Sequence, residues 1–474
     1  MNKNTALNNR YDVIIVGGGP AGLAAAIAAK KSGAESVLIL ERAKRLGGVL
    51  PQCIHTGFGL HYYQEELTGP EYAARFVELA LNKGIECRTE TMVIKINPDQ
   101  TLVTASPEDG MQVLTAGAVV LAMGCRERPR GVVTIAGTRP SGVNTAGEAQ
   151  KLLNLDGLHI GERIVILGSG DIGLIMARRF TLEGKKVLAV IEKMPYPSGL
   201  MRNKVQCLDD FSIPLRLSHT VTKILGKNRL EAVLVAKVDE NFRPIAGTEE
   251  KINCDTLVTS VGLIPEMELG RGLGLVMDST TASAAVNRYG QTSLPWVFAC
   301  GNLLYVHDLV DDVTVESEQT GAAAACFALG KPLPDDCSIT TPTAQESKAI
   351  PPDSLICTAC PIGCVITVKK KDAAAAMSYE NAEIEGSLCD RGIEYAMDEL
   401  INPLRNYTTT VAIGADHSRR LPVRTQSPVP KDKVMQVMAE IKSLRIDSPV
   451  RYGKVLIESV ADTGVAIIAS ADSE

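Results

Sequence analysis

No run of about 18 apolar residues occurs in the chain, which argues against a membrane-spanning helix and an integral membrane protein. Lys and Arg clusters interleaved with aromatics are also missing, and the formal net charge is only −6, so no electrostatic footprint for nucleic acid is present. The first ten residues are mostly polar and lack the apolar core of a signal peptide. The expectation is a cytoplasmic protein, with any membrane-surface association made through a partner. What the 474 residues do have is 45% hydrophobic against 22% charged composition, enough to bury large cores in two or three domains. Twelve cysteines in so long a chain without an export signal read as reduced thiols rather than a disulfide framework. Eight of them (Cys53, Cys87, Cys125, Cys207, Cys254, Cys300, Cys326, Cys337) are scattered, and read first as small buried apolar residues. The other four gather between Cys357 and Cys389.

An internal repeat organises the first two thirds. Residues 11–16 form a short β-branched run, followed by Gly17, Gly19 and Gly22 in GxGxxG spacing and an Ala-rich helical stretch. A second apolar run, 36–40, ends on Glu41. One glycine makes a tight turn, one lets backbone approach a pyrophosphate, and one packs helix on strand. The pyrophosphate then sits at the helix N-terminus, and Glu41 can accept from a ribose hydroxyl. The pattern returns as 164–167, Gly168, Gly170, Gly173, a helix, a run over 186–191 and Glu192. Gly17 to Gly168, Gly33 to Gly184 and Glu41 to Glu192 are each a step of 151 residues. A lone GxGxxG is weak, but two complete copies in register are a repeat. The bland alternative is glycines that serve only turns.

Other stretches assign the copies. Glycine-rich 46–48, with Gly48, follows the first acid, as a loop beneath a flavin would. Residues 119–129, VVLAMGCRERP with Gly124, look like the strand and turn leaving a flavin domain for a nicotinamide domain. Residues 296–302, WVFACGN with Gly301 and Asn302, look like the final flavin strand. The Ala-rich helix after Asp312 would aim its positive end at the isoalloxazine. FAD is therefore assigned to the first copy and a nicotinamide cofactor to the second. NAD(H) is expected over NADP, because Glu192 would repel a 2′-phosphate, although Lys193 beside it weakens the case.

With these motifs the chain resembles the two-dinucleotide-domain flavoprotein reductases, the pyridine nucleotide-disulfide oxidoreductase class. LGGVLPQCIHTGFGL (46–60) and RPSGVNTAGEAQKLLN (139–154) resemble more narrowly the NAD(FAD)-dependent dehydrogenases that accompany glycerol-3-phosphate dehydrogenase-like proteins, here with a CxxC domain fused. The resemblance implies electron transfer between NAD(H) and a partner flavoprotein dehydrogenase. Two positions depart from the class. Asn302 stands where Asp usually holds the ribityl chain, and can still hydrogen-bond a hydroxyl. Leu50 and His55 stand where disulfide reductases carry paired cysteines, with Cys53 between them, so no dithiol relay is expected there. Catalysis needs no side-chain nucleophile; Cys53, His55 and His307 are weak candidates beside bland readings as a buried thiol and ordinary hydrogen-bonded histidines, and Cys125 is read as part of a crossover turn. Asp308, Asp311 and Asp312 read as a helix N-terminus.

Residues 331–354, rich in Pro, Thr, Ser and Asp, read as a linker. Beyond it Cys357, Cys360 and Cys364 sit on one tight loop, CTACPIGC, and Cys389 arrives later in GSLCDRG. Three clustered cysteines and one remote are the spacing iron–sulfur clusters often use, and both strings look like the [4Fe-4S] head of molybdopterin oxidoreductases. Structural zinc is the rival, with free or redox-active thiols third. A strand is expected over 408–413, and a helix after Pro430 with Val434, Val437, Met438, Ile441 and Leu444 on one face. The expected class is α/β: two Rossmann-like dinucleotide-binding domains, one inserted in the other, plus a small C-terminal α+β cysteine-cluster domain. The boundaries are 1–130 and 255–330 for the FAD domain, 131–254 for the inserted NAD(P) domain, and 355–474 for the CxxC domain. Three functions compete: an FAD-dependent NAD(P)H oxidoreductase feeding or drawing electrons through a cluster, an alpha-type subunit of an amine or opine oxidase-like complex, and a zinc-stabilised interaction subunit.

Overall fold

The computed structural model describes residues 9–335, 337, 351, 354–372, 376–414, 416–447 and 449–473. Most of the expected linker, 331–354, lies outside the described residues. The chain divides into two units. The first comprises Met1–Pro51, Phe58–Arg126 and Leu263–Ala344, and the second Gln52–Gly57, Glu127–Gly262 and Gln345–Glu474.

In the first unit, strand Arg10–Val16 pairs in parallel with Val37–Leu40 on one side and with the long strand Gly110–Leu121 on the other. Val13 to Ile15 and all of Val37–Leu40 are buried, as the central strands of a parallel sheet covered on both faces must be. Glu86–Arg88 extends one edge, and an antiparallel pair, Met92–Ile96 with Thr101–Ser106, extends the other. The far end of Gly110–Leu121 also carries Val297–Ala299 in parallel, which brings the chain back into the sheet of its own first strand late in the sequence. Helix Pro20–Lys31 starts with Pro at its first turn, where a missing N–H is harmless, and its Ala-rich body is buried under helix Val310–Ala328.

The second unit repeats the plan. Five parallel strands run in the order Val143–Thr145, Thr256–Thr259, Arg163–Leu167, Lys186–Ile191, Leu215–Arg216, with helix Asp171–Leu182 following the second glycine turn. The C-terminal segment contributes an antiparallel trio (Ser354–Ile356, Val365–Lys370, Ala382–Glu385), helix Asp390–Ile401, a five-stranded sheet around Thr408–Ile413, and helix Val434–Ser443. The α/β class expected from the sequence is what forms. In helix Val434–Ser443 the residues Val437, Met438 and Ile441 are buried, and Val434 and Leu444 pack against the same core.

Two features were not expected. The C-terminal segment shares a core with the inserted dinucleotide fold: Leu182 sits in one apolar cluster with Tyr407, Val411, Val437 and Ile441. Arg405, 3% exposed, clamps the junction, donating to both oxygens of Asp210 (2.6 and 3.0 Å) and both of Glu399 (2.7 and 2.9 Å). Arg178 donates to the Asn406 carbonyl at 2.7 Å. The second surprise is Gln52–Gly57, which belongs to the second unit although it lies within the first dinucleotide repeat of the sequence. Gln52 holds it there, donating to the Gly147 carbonyl and to Gln150 Oε1, both at 3.1 Å, while Asn154 Nδ2 donates to the Gln52 carbonyl at 2.9 Å.

Candidate functional site

The 151-residue repeat persists at the level of single hydrogen bonds. The Gly17 amide donates to the Leu40 carbonyl at 2.9 Å, and the Gly168 amide to that of Ile191 at 2.8 Å. Glu41 accepts from the amides of Gly18 and Ala43, both at 2.7 Å. Glu192 accepts from those of Ser169 at 2.9 Å and Met194 at 2.8 Å. Gly17 and Gly168 have φ of +108° and +100°, and a Cβ at either would lie 2.4 and 1.9 Å from a carbonyl oxygen, of Ala122 and Ser260 respectively. Only glycine fits such turns.

The middle glycines differ in kind. At Gly19 and at Gly170 a Cβ would meet nothing closer than 3.6 Å, ordinary contact with Gly48 Cα and Ser260 Oγ, so the room over each turn's backbone is about that of one small group. That space, at the start of helices Pro20–Lys31 and Asp171–Leu182, is where unpaired N–H groups and the helix dipole receive a phosphate. Both turns therefore fit a dinucleotide pyrophosphate. Each carboxylate offers about four lone-pair positions, so Glu41 keeps acceptor capacity for a ribose hydroxyl beyond its two backbone donors. Glu192 is more fully engaged, with Ser198 Oγ donating at 2.8 Å and Ser169 Oγ as a further donor.

Gly48 closes on the first turn: the neighbouring Gly47 amide donates to the Gly18 carbonyl at 2.8 Å, and a Cβ on Gly48 would lie 2.8 Å from Gly19 Cα. Gly124, at φ +66°, turns the chain after the Gly110–Leu121 strand, its carbonyl accepting from the Glu266 amide at 3.0 Å. Gly301 and Asn302 are held by a residue the sequence reading missed. Glu316, buried on helix Val310–Ala328, accepts from the Gly301 amide at 2.7 Å, from His307 Nε2 at 3.0 Å and from the Tyr305 hydroxyl. His307 Nδ1 and its amide lie 3.2 and 3.1 Å from Asn302 Oδ1, so Glu316, His307 and Asn302 form one buried relay. The available signal was the spacing of Glu316 three residues after Val313, on the helix face that carries the buried Ser317, Thr320 and Ala324. Asp311 and Asp312 stand in the first turn of this helix, as expected, and the buried Asp311 accepts from the His61 amide at 3.3 Å.

Cys53 and His55, placed with the flavin by sequence order, lie in the second unit. Cys53 Sγ is 3.6 Å from Gln150 Oε1, and burial pushes its thiol up to about 12, so it is not a thiolate nucleophile at neutral pH. His55 lines a cavity of about 30 Å³ with Gln150, Asn154, Arg178, Arg179 and Cys207. Burial, then Arg178 and Arg202, hold its pKa down to about 3, so its imidazole is neutral.

In the C-terminal segment the Cys357 amide donates to the Cys364 carbonyl at 2.8 Å, closing the loop that carries Cys357, Cys360 and Cys364. Cys389 caps the start of helix Asp390–Ile401 and is exposed. Gly386, at φ +87°, lets the two stretches meet, since a Cβ there would lie 2.2 Å from the Val365 carbonyl oxygen. Burial pushes the Cys357 thiol up, and Cys360, Cys364 and Cys389 add to the rise. Among the described residues, however, no three His, Cys, Asp or Glu side chains gather closely enough for a single metal ion.

Residues 11–325 match the family model described as pyridine nucleotide-disulphide oxidoreductase, and residues 390–471 match one described as a protein of unknown function, DUF1667. The chain is 30% identical over 313 residues to hydrogen cyanide synthase subunit HcnB of Pseudomonas protegens, covering 61% of this chain and 65% of that protein. It is 25% identical to an opine oxidase subunit of Agrobacterium tumefaciens, covering 63% and 62%. It thus spans just under two thirds of the length of these curated relatives. In fold it resembles T. acidophilum thioredoxin reductase (TM-score 0.55, 24% identity, 68% of this chain and 99% of that one). A NAD-dependent persulfide reductase from A. fulgidus is also similar in fold (TM-score 0.52, 18% identity, 88% and 71%). No helix among the described residues is long and apolar enough to cross a membrane.

Proposed function

The chain belongs to the pyridine nucleotide-disulphide oxidoreductase family, the FAD-dependent NAD(P)H oxidoreductases, and on that premise we propose that it passes electrons between NAD(H), a flavin held in the first unit and a cluster held by the C-terminal cysteines. The observation that carries this reading is the pair of glycine turns, each with a carboxylate that accepts from the two equivalent backbone amides and each with room for a small group at Gly19 and Gly170. Bound FAD would supply two-electron exchange with a nicotinamide and one-electron exchange with an acceptor.

The chain's own residues do the rest. Amides of the two turns hold pyrophosphates, with Gly17, Gly19, Gly22 and Gly48 serving FAD and Gly168, Gly170 and Gly173 serving NAD(H). Glu41 and Glu192 orient ribose hydroxyls, and Glu192 opposes a 2′-phosphate. Gly124 and Gly301 bound the flavin stretch, Asn302 orients the ribityl chain, and Glu316 fixes Asn302 through His307. Cys357, Cys360, Cys364 and Cys389 suit a [4Fe-4S] cluster better than zinc. Three thiols on one tight loop with a remote fourth is the spacing that iron–sulfur clusters often use, whereas zinc ribbons normally pair two CxxC knuckles.

A second reading is favoured by the names of the relatives, subunits of a hydrogen cyanide synthase and of an opine oxidase: the chain serves as the electron-accepting member of a complex whose partner flavoprotein, a glycerol-3-phosphate dehydrogenase-like or amine-oxidising chain, oxidises the substrate. Anaerobic purification from its own cells followed by NADH addition tests both. Flavin that bleaches with NADH, together with iron and a reduced-state EPR signal, is expected. Absence of NADH-driven bleaching overturns the oxidoreductase reading, and stoichiometric zinc without iron overturns the cluster. A co-purifying substrate-oxidising flavoprotein selects the second reading.

A further inference from the structure

Within the second unit, where the inserted dinucleotide fold meets the C-terminal strands, lies a cavity of about 340 Å³. His159 and Glu183 line it from the dinucleotide fold, and Arg420, Lys442 and Arg445 from the C-terminal segment. Glu183 is the one carboxylate among these lining residues and is already engaged by Arg179, by Thr409 Oγ1 donating at 3.1 Å, and by Lys442 Nζ at 3.4 Å. Among the described residues Arg420 donates to Thr410, from Nε to Oγ1 at 3.0 Å and from Nη2 to the carbonyl at 2.6 Å. Arg445 Nη1 donates to the carbonyls of Lys442 and Leu444 at 3.2 and 2.8 Å. Neither guanidinium has a carboxylate partner among the described residues. Arg420 is held below its ordinary pKa by burial, and Arg179 and Arg445 push the same way against Glu183. The wall therefore carries three cations against one shared carboxylate, an excess of positive charge inside a concavity of ligand-binding size.

We propose that this cavity binds a small anion carrying clustered phosphate oxygens, free or as an ester, gripped by the forks of Arg420 and Arg445 with Lys442 as a point charge. Guanidinium forks match phosphate oxygens two at a time, and the excess charge suits a dianion better than a single carboxylate. A bound anion would bridge the dinucleotide fold and the C-terminal segment and so tighten their junction. The site is separate from both glycine turns and does not depend on what the cysteines hold.

Calorimetry on the full-length, flavin-loaded protein at fixed ionic strength, with inorganic pyrophosphate and phenyl phosphate as probes, tests it. One saturable site and a raised Tm are expected with at least one probe, and the tighter of the two tells free from ester-linked phosphate. The R420Q/R445Q protein should bind the probe at least about tenfold more weakly, the equivalent of about 1.4 kcal/mol, while its NADH-driven flavin reduction without probe is unchanged. No saturable binding, an unchanged Kd in the double variant, or an equal Tm rise from sodium chloride at matched ionic strength overturns the proposal. Should the double variant not fold, competition on the wild type decides. Binding that persists under saturating NADH supports the cavity, and full displacement by NADH places the probe on the Gly168 turn and overturns it.

Discussion

At the scale of single residues, the buried carboxylates separate holding from selecting. Glu316 accepts three hydrogen bonds in a site where it and His307 are 6% and 3% exposed. Glu316→Ala strands those donors, and at a typical cost of about 1–3 kcal/mol per unsatisfied buried group should lower Tm and weaken flavin retention together. Unchanged flavin occupancy on gel filtration would contradict its role in fixing Gly301 and Asn302. If Glu192 sets the choice of cofactor as proposed, stopped-flow reduction of the flavin should be faster with NADH than with NADPH, and Glu192→Ala should narrow the gap. Faster reduction by NADPH in the wild type would refute the assignment. His55 supplies a pH test. Its folded pKa of about 3 lies below the ordinary 6.5, so folding favours the neutral ring. That contribution is complete above pH 6.5 and is lost as pH falls toward 3, by about 1.4 kcal/mol per pH unit. Between pH 7 and 5 the wild type should therefore lose Tm more steeply than His55→Gln, and parallel curves would refute the shift.

At the scale of elements, strand–turn–helix units were legible because their signals are local. The 151-residue step alone places both glycine turns and both acids, and the β-branched pattern of 408–413 marks the strand Thr408–Ile413. What could not be read depends on partners distant in sequence. Gln52 meets Gly147 and Gln150 across 95 and 98 residues, and even the nearer pair Glu316 and Gly301, 15 residues apart, meets only when the helix folds back on the strand that precedes it. The cysteine stretches lie between these cases: their thiols were visible in sequence, but the closeness of 357–364 to 389 rests on Gly386, whose φ of +87° and 2.2 Å approach to Val365 exclude any Cβ. Gly386→Ala should destabilise the segment by more than about 1 kcal/mol and lower iron content with all four thiols retained. Full iron loading in that variant would show that Cys389 is not held by this approach.

For the whole molecule, the shared core around Leu182 and the Arg405 clamp make the C-terminal segment a structural part of the second unit rather than an appendage. A chain ended after residue 344 should therefore bind an apolar dye and melt earlier, because Leu182 and Phe211 lose their partners. A truncated protein with the parent Tm would refute this. Arg405→Met, which leaves Asp210 to Lys431 alone and removes this partner from the half-buried Glu399, should cost on the order of 3 kcal/mol. The interleaving of the two units also dictates an order of birth on the ribosome. The first unit has all its strands once residue 344 has emerged, whereas the second, although its first piece is residues 52–57, waits for the chain up to 474. At typical synthesis rates of about 5–20 residues per second the remaining stretch takes on the order of ten seconds. Throughout that interval a nascent chain carries a closable first dinucleotide fold joined to a second whose apolar flank is still bare, the period in which chaperone binding or premature association would act.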